Sequence, residues 1–274
     1  MNALRLGVVK TLVRQDLYYS FKSTRGVLFL VFFGVIWSYI LYNLSGGNAR
    51  LMMSPEGGMA LSWMFDAKVA QSLSVDHAPT LAAYFLIAIS TVPMFVLFAA
   101  SDQTANDIGS KYLRFLTPRC NRIEIFISRF IGAVLLVAFA YIVLTAIAAL
   151  VAMVADKNSF GLILRDTPLV VISLIIYSIP FVALMSLCSV IVGSAGLSAL
   201  VGISIYLILS IIIALFHWKT PNVAEIIAYL LPNGTKSLIL QLKWSTMLTA
   251  LISVPIYVFA YGFLGWTIFK KRDI

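Results

Sequence analysis

Charge is what this chain has least of. Asp, Glu, Lys and Arg make up 11% of its 274 residues, where a soluble domain carries about 25%. Histidine and cysteine each occur only twice. Cys120 lies in a polar stretch and Cys188 inside an apolar run, so they stand at different depths and imply no disulfide framework. His77 and His217 have no Cys or carboxylate at ligand spacing, which leaves a metal site without donors. The phosphate-cradling pattern GxxxxGK[ST] is missing, so ATP is not bound through a P-loop. No nucleophile–base pair is placed where it could act. Asp102 and Asp107 come nearest to a carboxylate pair, and they read as solvated groups at a membrane boundary. The chain is therefore expected not to be an enzyme and to hold no cofactor or metal of its own.

What fills the space left by charge is apolar. Hydrophobic residues make up 61% of the sequence. Six stretches contain no Asp, Glu, Lys, Arg or His and approach or exceed the roughly 20 residues that cross a bilayer as helix: Gly26–Leu44, Leu81–Ala100, Phe130–Ala155, Pro168–Val192, Leu197–Phe216 and Thr246–Phe269. Barrel strands would alternate in polarity over about ten residues each. The expected fold is all-α, a single membrane domain of six transmembrane helices. The first run is not read as a cleavable signal peptide, because it is too long for an h-region and lacks a small-x-small site. Proton- and ion-coupled carriers use charges inside the membrane. With none in these spans, any transport here draws its energy from outside the membrane domain.

The net charge of +9 sits beside the spans and not on a soluble face, which favours the membrane surface over nucleic acid. Thirteen Lys and Arg fall in the N-terminal segment, the 101–129 loop and the C-terminal tail, against seven in the opposite loops. The positive-inside rule places both termini and the 101–129 loop in the cytoplasm.

Within the N-terminal segment, Leu6, Val9, Val13 and Leu17 form an apolar stripe, with Lys10, Arg14 and Lys22 towards the other face. This predicts an interfacial helix over residues 1–25 whose basic residues meet anionic lipid. Asp16 intrudes on the apolar side and calls for a basic partner.

The stretch "SDQTANDIGSKYLRFLTPRCNRIEIFISR", residues 101–129, carries five basic and three acidic residues between two spans. Ile108, Tyr112, Phe115 and Leu116 fit one face of a short helix, which Ser110 can cap and on which Lys111 and Arg114 point elsewhere. Pro118 breaks it. Asn121-Arg122-Ile123-Glu124 then reads as a capping box that starts the helix of the third span. Exposed aromatics on a short surface helix look like a docking element. Farther on, "VAEIIAYLL" and "TKSLILQL" flank the turn Pro232-Asn233-Gly234 and read as two short external re-entrant helices. Asn233-Gly234-Thr235 is a glycosylation sequon, relevant only in a eukaryotic secretory setting. Pro93, Pro180 and Pro255 lie inside the second, fourth and sixth spans as candidate kinks.

In order and spacing these parts resemble the membrane subunits of type 2 ABC exporters. "QDLYYSFKSTRG" matches the family's interfacial helix, "DQTANDIGSKYLRFLTPRCNRIEIFISR" its first cytoplasmic loop, "AEIIAYLLPNGTKSLILQL" its two external helices and "FKKRDI" its basic end. The resemblance covers the whole chain. Asn106-Asp107 stands where the family commonly has Glu, Ser110 replaces Thr and Arg129 replaces Lys. The resemblance implies a permease in a bacterial cytoplasmic membrane, paired with a second permease subunit and two ABC ATPase subunits that carry the ATP and Mg. It implies that a coupling helix of Ser110, Lys111, Tyr112, Leu113, Arg114, Phe115 and Leu116 meets the ATPase, with Pro118, Asn121, Arg122 and Glu124 shaping the loop. The second and fifth spans would line the path of an amphipathic peptide, drug or lipid-like substrate. Two alternatives remain at this level. One is a permease-like component for maturation of another complex, as with nitrous-oxide reductase. The other is a membrane enzyme of lipid metabolism.

Overall fold

The computed structural model describes residues 5–22, 24–54, 65, 72–73, 75–157 and 159–272. Among them there is no strand, and six helices are long and apolar enough to cross a membrane. The chain is an all-α protein built on those six. Most of the expected loop of residues 45–80 and the final Asp273-Ile274 lie outside the described residues.

Helix α1 (Leu6–Lys22) leads into α2 (Thr24–Asn43), the first span. The sequence placed the end of this span at Leu44, and α2 ends one residue earlier. There a π turn (Leu44–Asn48) with Gly47 at φ +88° bends the chain into α3 (Ala49–Met52). Glycine takes that φ without the Cβ clash other residues meet. The bend brings Arg50 to Asp156 (Nε–Oδ1 3.2 Å) and to the carbonyl of Ala155 (2.9 Å).

The second span is α4 (Pro79–Ala99), which opens on proline at its first position, where no N–H partner is needed. Two short helices, α5 (Ala105–Gly109) and α6 (Leu113–Leu116), lie between it and α7 (Arg122–Ala155). The fourth span is α8 (Phe160–Val192), the fifth α9 (Ala195–Lys219) and the sixth α12 (Trp244–Lys271), with α10 (Pro221–Ala228) and α11 (Lys236–Ile239) before the last. Helices α4, α8 and α12 run on through Pro93, Pro180 and Pro255.

At 34 and 33 residues, α7 and α8 are each about 50 Å long, well beyond the roughly 30 Å of a hydrocarbon core. Their extra turns carry the polar ties. Helix α8 is the centre of the bundle: Leu169, Val170, Leu174, Tyr177, Phe181 and Met185 are all buried. Tyr177 also donates to Asn233 Oδ1 (2.9 Å), pinning the Pro232–Thr235 turn onto this helix. Tyr84 and Thr145 join α4 to α7 through their hydroxyls (3.1 Å). The hydroxyls of Tyr84, Thr145 and Tyr177 thus find partners in a layer where water is absent.

The spans read from the sequence leave His77 in the loop of residues 45–80. It is instead buried, with Nδ1 3.0 Å from Asp166 Oδ2, and Arg165 reaches the same carboxylate at 2.8 Å. This cluster and the Arg50–Asp156 pair lie at the end of the bundle away from α1, hereafter the distal end. The end holding α1, α5, α6 and the last turn of α12 is the proximal end.

Candidate functional site

A second hydrophobic cluster, separate from the main core, organises the proximal end. Leu12 of α1, Leu113 of α6, Ile125 and Phe126 of α7, Val190 of α8 and Phe269 of α12 are all buried in it. Five elements thus share one small core, and the 101–121 connection is packed onto it.

The connection is tied down along its length. Gln103 donates to the carbonyl of Val182 (3.1 Å), and the Thr104 and Ser189 hydroxyls pair at 2.9 Å. Gly109 lies against the turn after α8, and a Cβ there would meet the Gly193 carbonyl oxygen at 2.8 Å. Gly193 itself ends α8 at φ +70°, the left-handed position that commonly closes a helix. Arg272 donates to the carbonyls of Val190 and Ile191, which have no partner within the helix. Arg122 in turn donates to the carbonyls of Lys270 (2.7 Å) and Arg272 (3.1 Å).

The sequence pattern suggested one helical face from Ile108 to Leu116. The structure divides it. Ser110 Oγ donates back to the Asn106 carbonyl (2.6 Å), so it closes α5 and does not cap the next helix. Lys111 then takes φ +57°, an uncommon conformation for a side chain with a Cβ. This rotation sets α6 apart from α5 and decides which residues face out. Leu113 is 2% exposed, while Tyr112 is 39% and Phe115 73% exposed. Leu116 is half-buried; Ser110, Lys111 and Arg114 are exposed. Of the seven residues read as a partner surface, Leu113 is therefore spent on the core, and Tyr112 and Phe115 form its apolar tip with their rings 6.4 Å apart.

Past Pro118, the capping box forms: Glu124 accepts from the Asn121 N–H at 2.9 Å. Glu124, fully buried, does a second job that spacing could not announce. It holds the start of α1, accepting from the Arg5 backbone N–H (2.9 Å) and from the Arg5 guanidinium (3.1 Å to each oxygen).

One arginine joins three of these elements. Arg129 of α7 grips Asp107 of α5 with two bonds (2.8 and 3.1 Å) and Asp16 of α1 with a third (2.5 Å). The expectation that Asp107 is a solvated boundary group is wrong: it is buried, because α5 packs on α8 and α9 and Arg129 of α7 reaches its carboxylate. Asp16 does find the base its position called for. Burial pushes both carboxyls upward from their ordinary values, and at Asp16 the neighbouring Asp107 adds to the rise. Arg129 pulls both back without cancelling the effect, since two acids share one cation. Gly132 completes the arrangement, since a Cβ there would sit 2.5 Å from Asp16 Oδ2.

These ties also set the direction of α1. Arg5 meets Glu124, Asp16 meets Arg129 and Gly132, and Phe21 packs on Phe139 with ring centres 5.4 Å apart. Helix α1 therefore runs lengthwise beside α7, in the same direction. Its inward stripe is Val9, Leu12, Val13 and Asp16, while Leu6, expected on the apolar face, is 75% exposed.

The architecture is that of a membrane protein with six helices long and apolar enough to cross a bilayer, in which α1 and the 101–121 connection are bound into one polar and apolar unit. The chain belongs to the protein family of unknown function DUF2705, whose model matches residues 48–274. No curated protein matches it.

Proposed function

We propose that the chain is the membrane permease subunit of an ATP-driven exporter of the ABC type, with both termini and the proximal end in the cytoplasm. It moves an amphipathic peptide, drug or lipid-like molecule outward, with ATP and Mg bound on two separate ATPase subunits and a second permease completing the path. The observation that carries this reading is the tip of α6. Phe115 and Tyr112 stand exposed at an end of the molecule rich in Lys and Arg, on a connection otherwise bonded along its length. A solvent-facing ring of that size buries about 1.5–3 kcal/mol when a partner covers it, and Lys111, Arg114 and Arg119 beside it favour an acidic rim on that partner.

Displacement of α6 by an ATPase has a route into the bundle. Leu113 presses on Ile125 and Phe126, Asp107 pulls on Arg129, and Arg129 holds Asp16 of α1. The facing surfaces for a substrate path are less even than the resemblance implies. The fifth span, α9, turns Leu200, Leu207, Ile208 and Ile211 outward, while the second span, α4, offers mainly Met94 and Phe98.

Reconstitution tests the reading. Vesicles containing the chain with its ATPase subunit should hydrolyse ATP at a rate that substrate stimulates. Hydrolysis that ignores the membrane subunit, or a purified chain that catalyses lipid turnover unaided, would refute it.

A further inference from the structure

Two ties hold α5, one at Asp107 and one at its last residue, Gly109, and they differ in kind. Asp107 is gripped by the Arg129 guanidinium, charge on charge and largely covered. Gly109 rests on the turn that closes α8, where its Cβ would meet the Gly193 carbonyl oxygen at 2.8 Å. A Cβ on Gly193 would in turn lie 2.8 Å from Cγ2 of Ile108 and 2.8 Å from Nη2 of Arg272. A side chain of α5 and the guanidinium of Arg272 therefore meet over one residue that has no side chain of its own.

Arg272 comes from the segment that follows α12. Its Nη1 donates to the carbonyls of Val190 and Ile191, the latter at 3.2 Å. These belong to the last four carbonyls of α8, which helical N–H groups leave open, and a cation suits that end of a helix. Among the described residues no carboxylate lies within ion-pair distance of Arg272. Arg272 is itself set in place from α7, since Arg122 Nη1 donates to its carbonyl (3.1 Å) and to that of Lys270 (2.7 Å). Phe269, one turn back, is buried in the proximal core that also holds Val190 and Leu113. The contacts form one line, from α7 through the ends of α12 and α8 to α5. Its weakest link is Arg272. A guanidinium on neutral carbonyls lacks the bidentate carboxylate grip that Arg129 has on Asp107, and the bond to Ile191 is open to solvent.

We propose that Arg272 is a clamp on the α5–α6 connection. While its guanidinium spans Val190 and Ile191, it fixes the last turn of α8 and seats Ile108 and Gly109 against Gly193. When it leaves, α8 loses its cap, the seat loosens, and the connection beyond Asp107 gains freedom while Arg129 keeps its hold. Engaged, the clamp makes the position of the Tyr112–Phe115 tip depend on the end of the sixth span. The proposal rests on the contacts of the proximal end and stands apart from the ATPase reading.

Hydrogen–deuterium exchange of the full chain in neutral detergent, read by mass spectrometry, tests it. The reporters are the amides of residues 110–117, which bond within the connection, with Ile163 at the distal start of α8 as the control. Arg272→Gln should speed exchange over residues 110–117 and 190–193 by at least about tenfold, the order expected for loss of a hydrogen bond to a charged group, and leave Ile163 unchanged. Arg272→Lys, which has no planar fork to span two carbonyls, should fall between. Lys271→Gln, at the neighbouring exposed charge, should behave as wild type. Unchanged exchange over residues 110–117 in Arg272→Gln overturns the proposal. So does equal acceleration at Ile163, which would mark loss of the whole fold, or equal acceleration in Lys271→Gln, which would mark a general effect of charge. Should Arg272→Gln fail to fold, Arg272→Lys against wild type decides by the same readings.

Discussion

Arg129 is the residue on which the proximal end turns. Replacing it by Gln leaves two buried carboxylates facing each other, and removal of one partner from such a site costs about 3–5 kcal/mol. Its pH dependence has a definite sign. The carboxyls of Asp16 and Asp107 are raised in the folded state, so the folded protein keeps their protons to higher pH than the unfolded chain does. Their contribution to stability is greatest at low pH and is lost as pH rises through the raised values. Without the guanidinium the rise is larger. The stability gap between Arg129→Gln and wild type should be narrower under acidic conditions and widen as pH rises through the raised values, read by thermal unfolding in detergent. A gap independent of pH would show that the carboxylates are not the cause. Gly132→Ala probes the same contact sterically. Its Cβ would sit 2.5 Å from Asp16 Oδ2, so either the carboxylate or α1 must move, and we expect a loss of about 1–3 kcal/mol, the usual range for overpacking. A change below about 0.5 kcal/mol, within the range of neutral surface substitutions, would contradict the close approach. In the sequence, Asp16 was visible as an acid on an apolar stripe, but nothing in its spacing pointed to a partner 113 residues away. Asp107 looked like a boundary group because burial by tertiary packing leaves no local trace.

At the scale of elements, the legible parts were those governed by local periodicity and composition. The six apolar runs appear as helices, and the third and fourth begin eight residues earlier than expected, at Arg122 and Phe160, because the end turns of a long helix tolerate charge. The capping box at Asn121 and Glu124 was legible because both partners lie within one turn. The division of the 101–121 connection was not, since it depends on Lys111 taking a left-handed φ and on Gly109 meeting the Gly193 carbonyl. That division gives a contrast to exploit. Phe115→Asp should leave thermal stability within about 0.5 kcal/mol of wild type, as an exposed substitution does. Leu113→Asp, two residues away, puts a carboxylate into the small proximal core and should cost about 3 kcal/mol or more. Equal destabilisation by the two would mean that Phe115 is covered within the chain and is not a free tip.

For the whole molecule, the helices divide into an enclosed pair and an outer set. Helices α4 and α8 are mostly covered by their neighbours, while α2, α9 and α12 turn rows of Leu, Ile, Val and Phe outward. In a bilayer, lipid or a second subunit covers such rows. The proposed transport role assigns the proximal end to a cytoplasmic ATPase and the outward face of α9 to the neighbouring permease. The most direct measurement is affinity purification of the tagged full chain from its native membranes, comparing wild type with Phe115→Asp at equal yield of folded protein. The account predicts that wild type brings down an ATP-hydrolysing subunit with a phosphate-binding loop, and that Phe115→Asp loses it. Wild type without such a subunit, or equal recovery with both proteins, would contradict the account.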